Sequence, residues 1–211
     1  MRLLPGLLAL LACTALAADP LRVVSLAPSM TEIMLELQAD DLLVGVLDGG
    51  ERPAALGDLP SVGRQGQLDM ERLLSLRPDL LLLWPGSVPP AQRDQLKRLG
   101  IATFSAEPHD IDQLIEQIEA IAGRIGRAEQ GHAYAQALRK RLQQLRQQYG
   151  RDEPLQVFYQ VWDRPLYTLG GRQVVSDALA VCGARNVFAD LSQPAPQVSV
   201  ESVLLRDPQV I

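Results

Sequence analysis

Between Ala128 and Tyr149, Gly131, Ala135, Leu138, Leu142, Leu145 and Tyr149 recur at spacings of four and three, while Arg139, Lys140, Arg141, Gln143, Gln144, Arg146 and Gln147 fill the opposite side. That period belongs to an amphipathic helix rather than to a strand. No proline interrupts the stretch, and Pro154 follows it. The pattern predicts one helix of about 22 residues and about 33 Å, well beyond the average of about 11 to 12 residues. On both sides the chain changes to short apolar runs alternating with helical periods. The long helix is therefore expected to join two α/β lobes as a rigid strut; the competing reading is a crossover helix within one sheet.

Upstream, Arg22 to Leu26 reads as a strand, and the S-x-x-E spacing of Ser29 and Glu32 predicts a capping box on a helix starting near Met30. A strand over Leu42 to Leu47 runs into the turn-rich stretch from Asp48 to Pro53. Asp69 is expected to cap a helix through Leu76 that Pro78 stops. Leu80 to Leu83 is a continuous apolar strand, as in a parallel sheet covered on both faces, and it ends at Trp84. A helix over Gln92 to Leu99, a strand over Ile101 to Phe104, and a helix through Ile111, Leu114, Ile115, Ile118 and Ile121 that Gly123 and Gly126 end complete the first lobe. Downstream come a strand over Leu155 to Val161, a second apolar run over Leu166 to Leu169, a turn at Gly170 and Gly171, and a helix over Val174 to Val181. The alternation predicts an α/β fold of two Rossmann-like parallel-sheet lobes. The boundaries are an N-terminal lobe over 19–126, a backbone helix over 127–150 and an incomplete C-terminal lobe over 151–211.

The two lobes share a repeat. The run from Glu71 to Leu81 aligns without a gap beside Glu201 to Ile211, matching Asp69 with Ser199 as caps, Leu74 with Leu204 and Pro78 with Pro208. A capped helix followed by proline and a strand is a common unit, so the repeat is supportive rather than decisive.

A net charge of −5 and the lack of basic runs interleaved with aromatics exclude a phosphate-tracking surface for nucleic acid. Residues 1–18 have the layout of a secretory signal peptide: Arg2, an apolar run from Leu3 to Ala12, and small residues through Ala17. The apolar run is too short to span a bilayer. This predicts a periplasmic protein; the alternative is that Leu10 to Cys13 forms a lipoprotein box, leaving the protein anchored through Cys13. With the leader removed, Cys182 is left unpaired, and an odd cysteine in an exported protein ordinarily has a partner. The last residues also read as a strand just begun, so continuation past Ile211 is expected.

Ligands of open α/β sheets sit beyond the carboxyl ends of the strands. Trp84 and Trp162, the two tryptophans, both fall just after expected strands, one per lobe. Tyr167, Asp48 and Gly49 are expected near the same mouth, giving an aromatic, weakly polar cleft for a large flat ligand. The alternative is that the tryptophans pack against loops. Glu71 and Glu201 occupy the second helical position after their caps, where the helix dipole favours a carboxylate; equivalent acids on two lobes also suit a pseudo-symmetric partner. His109 and His132 read as surface residues without metal-ligand spacing. No metal site, cofactor or catalytic constellation is expected: G-x-S-x-G, H-E-x-x-H and the P-loop are all missing. A periplasmic α/β enzyme stays as the reading from another class, which turnover by the pure protein would support.

The stretches VVSLAPSMTEIMLEL, LLVGV, MERLLSLRPDLLLLW, ALAVCGARNVFAD and PQVSVESVLLRDPQVI, with the SVG at Ser61 to Gly63, resemble the helical-backbone solute-binding proteins of ABC importers, and among them the cobalamin binders. The resemblance covers almost everything after the leader. It implies a receptor and not an enzyme, with cobalamin or a related corrinoid held between two lobes and little hinge closure. It further implies that Trp84 and Tyr167 contact the corrinoid and that Glu71 and Glu201 dock onto arginines of the membrane subunits. Cys182 would pair with a cysteine beyond Ile211. The sequence departs from the pattern at Gly49, Gln65 and Ala195, where the cobalamin binders carry aromatic residues; Trp162 would stand in for one of them. Haem or a ferric siderophore is the runner-up ligand, with Tyr167 the candidate iron ligand.

Overall fold

The computed structural model describes residues 19–50 and 52–211, so the expected leader over 1–18 and the alternative anchor at Cys13 lie outside the described residues. The first sheet has six strands: β1 (Val23–Ser25), β2 (Leu43–Asp48), β3 (Ser61–Arg64), β4 (Gln67–Leu68), β5 (Leu80–Leu83) and β6 (Ala102–Ser105). Their order is β4-β3-β2-β1-β5-β6, and every neighbouring pair is parallel except β3 with β4. The helices of this half are α1 (Pro28–Glu36), α2 (Met70–Ser75), α3 (Pro90–Arg98), α4 (Ile111–Arg124) and the long α5 (Ala128–Tyr149).

The run of four leucines in β5 is explained by cover on both faces. Leu80 and Leu82 pack in one core with Met30 and Met34 of α1 and Ile118 and Ile121 of α4. Leu81 and Leu83 pack in a second core with Leu73 of α2 and Leu96 of α3. Side chains alternate across a strand, so both sets must be apolar when both faces are buried. Each leucine removed from water contributes about 1.5 to 3 kcal/mol.

The apolar stripe of α5 is seated mainly along its first half. Gly131 and Ala135 are buried, and Leu138 packs against the core of α1 and α4, whereas Tyr149 is 46% exposed. Gly131 faces Ala122 so closely that an added Cβ would lie 2.2 Å from the alanine Cβ. This small pair lets α4 and α5 pack backbone against backbone.

Several expectations are corrected. The capping box at Ser29 and Glu32 does not form, because Pro28 takes the first helical position and Ala27 serves as an N-cap without a side-chain bond. Proline suits that position, where its missing N–H has no helical acceptor to lose. The β3–β4 hairpin and β10 (Ala184–Asn186) were not read from the pattern. The strand expected over Leu155 to Val161 is only β7 (Leu155–Val157), since Phe158 turns inward to pack edge-on against Phe188 with ring centroids 5.8 Å apart. The Trp162 to Tyr167 stretch is a small hairpin of β8 (Trp162–Asp163) and β9 (Leu166–Tyr167). The remaining helices are α6 (Val174–Val181) and α7 (Val200–Arg206).

Strand β7 pairs in parallel with β10 and not with the six-stranded sheet, so α5 leads from one sheet into another. The repeat is present in three dimensions. The Asp69 carboxylate accepts the Arg72 N–H at 2.9 Å, and the Ser199 hydroxyl accepts the Ser202 N–H at 3.1 Å. Each helix then ends on a left-handed residue before its proline, Arg77 (φ 44°) before Pro78 and Asp207 (φ 45°) before Pro208. The backbone N–H groups of Asp79 and Leu80 donate to the Arg22 carbonyl at 2.8 and 3.2 Å. Those of Gln209 and Val210 donate to the Gln156 carbonyl at the same two distances, and Val210 bridges Val157 in parallel.

Candidate ligand-binding site

The carboxyl edge of the first sheet is built by what leaves β2 and β5. Trp84 follows β5 directly and is 36% exposed, so about a third of the residue is available at the surface and the rest is held against the protein. It lines a cavity of about 370 Å³ with Met30 and Ile33 of α1, Leu114 and Ile118 of α4, and the carboxylates of Glu32 and Glu36. Tyr134 of α5 joins this lining, and burial, followed by the neighbouring Glu36 carboxylate, pushes its phenol above the ordinary range.

Asp48 is the last residue of β2. Its carboxylate accepts the Ser61 hydroxyl at 2.5 Å and pairs with Arg52 at 3.3 Å, so it is spent within the loop rather than free. Gly49 lies against the first turn of α1, where an added Cβ would come within 2.6 Å of the Pro28 ring. An aromatic residue at this position would have to displace Pro28. Both residues line a smaller cavity with Pro28, Thr31 and Glu32, and Glu32 also borders the Trp84 cavity. Asp48, Gly49 and Trp84 therefore share one sheet edge.

Trp162 and Tyr167 are direct cross-strand partners in the β8–β9 hairpin. Trp162 is 61% exposed, and its indole N–H donates to the Arg164 carbonyl at 3.1 Å. It thus sits within a strand of its own, not at the carboxyl end of β7. The hairpin brings these two aromatics together; the cavities bordered by Asp48, Gly49 and Trp84 take no lining from it.

A groove of about 580 Å³ runs between α4, α6 and β10, bordered by His109, Arg151, Arg172, Asp177 and Arg185. Here the Asp177 carboxylate accepts the Ile111 N–H at 3.0 Å, so α6 supplies a capping acceptor to the first turn of α4, alongside Asp110, which accepts the Gln113 N–H at 2.7 Å. No local pattern marks Asp177 for this, because its partner lies 66 residues away. His109 is not a plain surface residue: it is half-buried, and its Nδ1 is enclosed without a hydrogen-bond partner among the described residues. His132 is exposed as expected and lies 3.2 Å from Glu119.

Glu71 and Glu201 are exposed in the first turns of α2 and α7. The Glu201 carboxyl is held below its usual range by its own backbone N–H and then by the Ser199 hydroxyl. Cys182, at the carboxyl end of α6, is exposed and has no disulfide partner among the described residues. Among the described residues no group of three His, Cys, Asp or Glu is placed to hold a metal ion, and no helix is long and apolar enough to cross a membrane.

The periplasmic binding protein family matches residues 23–211. A vitamin B12-binding protein of Vibrio cholerae is 36% identical over 211 residues, spanning 96% of this chain and 76% of its own length. One from Yersinia pestis is 38% identical over 205 residues, spanning 97% and 72%. The crystal structure of the periplasmic vitamin B12-binding protein of Vibrio cholerae superposes with a TM-score of 0.78 at 35% identity, over 90% of this chain and 74% of that one. A periplasmic haem-binding protein of Pseudomonas aeruginosa superposes with a TM-score of 0.76 at 28% identity, over 90% and 71%.

Proposed function

The chain belongs to the periplasmic binding protein family, and from that premise we propose that it captures cobalamin or a related corrinoid and delivers it to an ABC importer. The observation that carries the ligand class is the 36% and 38% identity to two vitamin B12-binding proteins across nearly the whole chain. The chemistry agrees, since a partly exposed indole beside apolar side chains suits a broad, flat, weakly polar face. In this reading the lobes over 19–126 and 151–211 flank the backbone helix over 127–150. Trp84, with Asp48 and Gly49, forms one wall of the cleft, and Trp162 and Tyr167 form the other. Asp48 acts by holding its loop through Ser61 and Arg52 rather than by a free carboxylate.

Glu71 and Glu201 dock onto the membrane subunits. Their support is structural equivalence: both are exposed at the same position of helices that share cap, end and strand pairing. A pair of equivalent carboxylates fits a partner that offers two equivalent cationic sites. Residues 1–18 direct the chain to the periplasm, and the protein acts as a stoichiometric carrier without turnover.

Haem is the second reading, favoured by the resemblance to haem-binding proteins, with Tyr167 as the candidate iron ligand. Titration separates the two. Binding of cyanocobalamin at one equivalent, with the corrinoid visible bands perturbed and the ligand recovered unchanged, is the expected result. Saturation by haemin with no response to cyanocobalamin would overturn the corrinoid reading in favour of haem.

A further inference from the structure

The residues after β5 form a tight turn with a specific relation to the indole. The Trp84 carbonyl accepts two bonds from Ser87, from its N–H at 2.9 Å and from its hydroxyl at 2.7 Å. Ser87 is 4% exposed, so the turn is anchored in the protein. Pro85 occupies the second turn position, which its fixed φ suits. Gly86 occupies the third. A Cβ built on Gly86 would lie 2.0, 2.6 and 2.8 Å from Cζ3, Cη2 and Cε3 of Trp84, and these are its three nearest heavy atoms. Carbon atoms pack at about 3.5 to 4.0 Å, so the six-membered ring rests directly on the glycine α-carbon.

The demand for glycine comes from the indole and not from the backbone. Gly86 is not among the residues with positive φ, so an alanine could adopt its conformation. At such a position Gly→Ala ordinarily stabilises a protein by restricting the unfolded chain. Here the methyl group would drive the ring off its support.

We propose that Gly86 and Ser87 form the seat that holds the Trp84 indole at the sheet edge, and that Gly86 is a positioning residue for ligand affinity. The second half of this inference rests on the reading of Trp84 as a ligand contact. A ring free to rotate must be ordered on binding, whereas a seated ring presents its exposed third in advance.

The test uses the protein labelled with 5-fluorotryptophan, in which Trp84 and Trp162 each give a resonance. Loss of a resonance in Trp84→Ala assigns it. In Gly86→Ala the Trp84 resonance should shift while that of Trp162 stays, and affinity for cyanocobalamin should fall about tenfold or more. Because glycine acts only through the ring, Trp84→Ala and Trp84→Ala/Gly86→Ala should bind alike, and the double variant should melt no lower than the single one. A Gly86→Ala protein with the parental Trp84 resonance and parental affinity would overturn the proposal. Parental affinity in Trp84→Ala would overturn the ligand role of the seat and the reading beneath it, and the resonance shift in Gly86→Ala would still decide whether the seat exists.

Discussion

Replacing Asp177 with alanine removes the one side-chain acceptor that α6 offers to the Ile111 N–H at 3.0 Å. Ile111 is the first residue of α4, so this N–H has no partner within the helix. Losing a capping acceptor costs about 0.5 to 2 kcal/mol, and losing a carboxylate near a helix N-terminus costs about 0.3 to 1 kcal/mol. The two overlap, and the contact is half-buried rather than enclosed, so about 1 to 2 kcal/mol is expected. For a chain of this size that is a fall of about 2 to 8 °C in Tm. Asp177→Asn keeps an acceptor oxygen and should lose less than half as much. Thermal melts give the stability, and hydrogen exchange at the Ile111 amide gives the mechanism: protection should drop in Asp177→Ala beyond what global unfolding explains. Parental exchange at Ile111 together with a parental Tm would show that the link between α4 and α6 contributes nothing.

Trp84→Ala should weaken cyanocobalamin binding by about 2 kcal/mol, because its exposed 36% of a side chain of about 250 Å² is about 90 Å², covered at about 25 cal/mol per Å²; isothermal titration checks it, and unchanged affinity removes Trp84 from the site. Changing Glu71 and Glu201 together to glutamine should leave ligand affinity intact and abolish transporter-dependent uptake in reconstituted vesicles; unchanged uptake would return both to helix-end charges. The carboxyls of Asp190 and Glu119 are held low, the first by Arg206 and the second by Arg139 and then His132. A depressed carboxyl stabilises the fold fully above the ordinary value of about 4, and the gain is lost as the pH falls through the folded value. The Tm should therefore drop as the pH is lowered from about 5 toward 3, and Asp190→Asn should flatten that drop; an unchanged slope would contradict it.

The sequence alone determined the elements whose cause is local. The helices over Ala128–Tyr149 and Val174–Val181 and the strand over Leu80–Leu83 lie at the residues their periods and flanking breakers mark. Asp69 and Ser199 were legible as caps because a capping bond spans three residues. The position of Trp84 at the carboxyl end of a buried strand was legible because it follows directly on a continuous apolar run. Tertiary structure decided the rest. The strands β3, β4 and β10 are two to four residues long, too short for a period; β3 and β10 take their parallel ladders from β2 and β7, distant in the chain, and β4 is held only as the edge partner of β3. Proline at the first turn of α1 overrode the Ser29 and Glu32 pattern, which only the observed backbone could arbitrate. Nothing near Asp177 points to Ile111, and nothing in a Trp-Pro-Gly-Ser run says that the ring will lie on the glycine. Local periodicity records which face of an element is buried, whereas the partner met there is set by how the chain closes on itself.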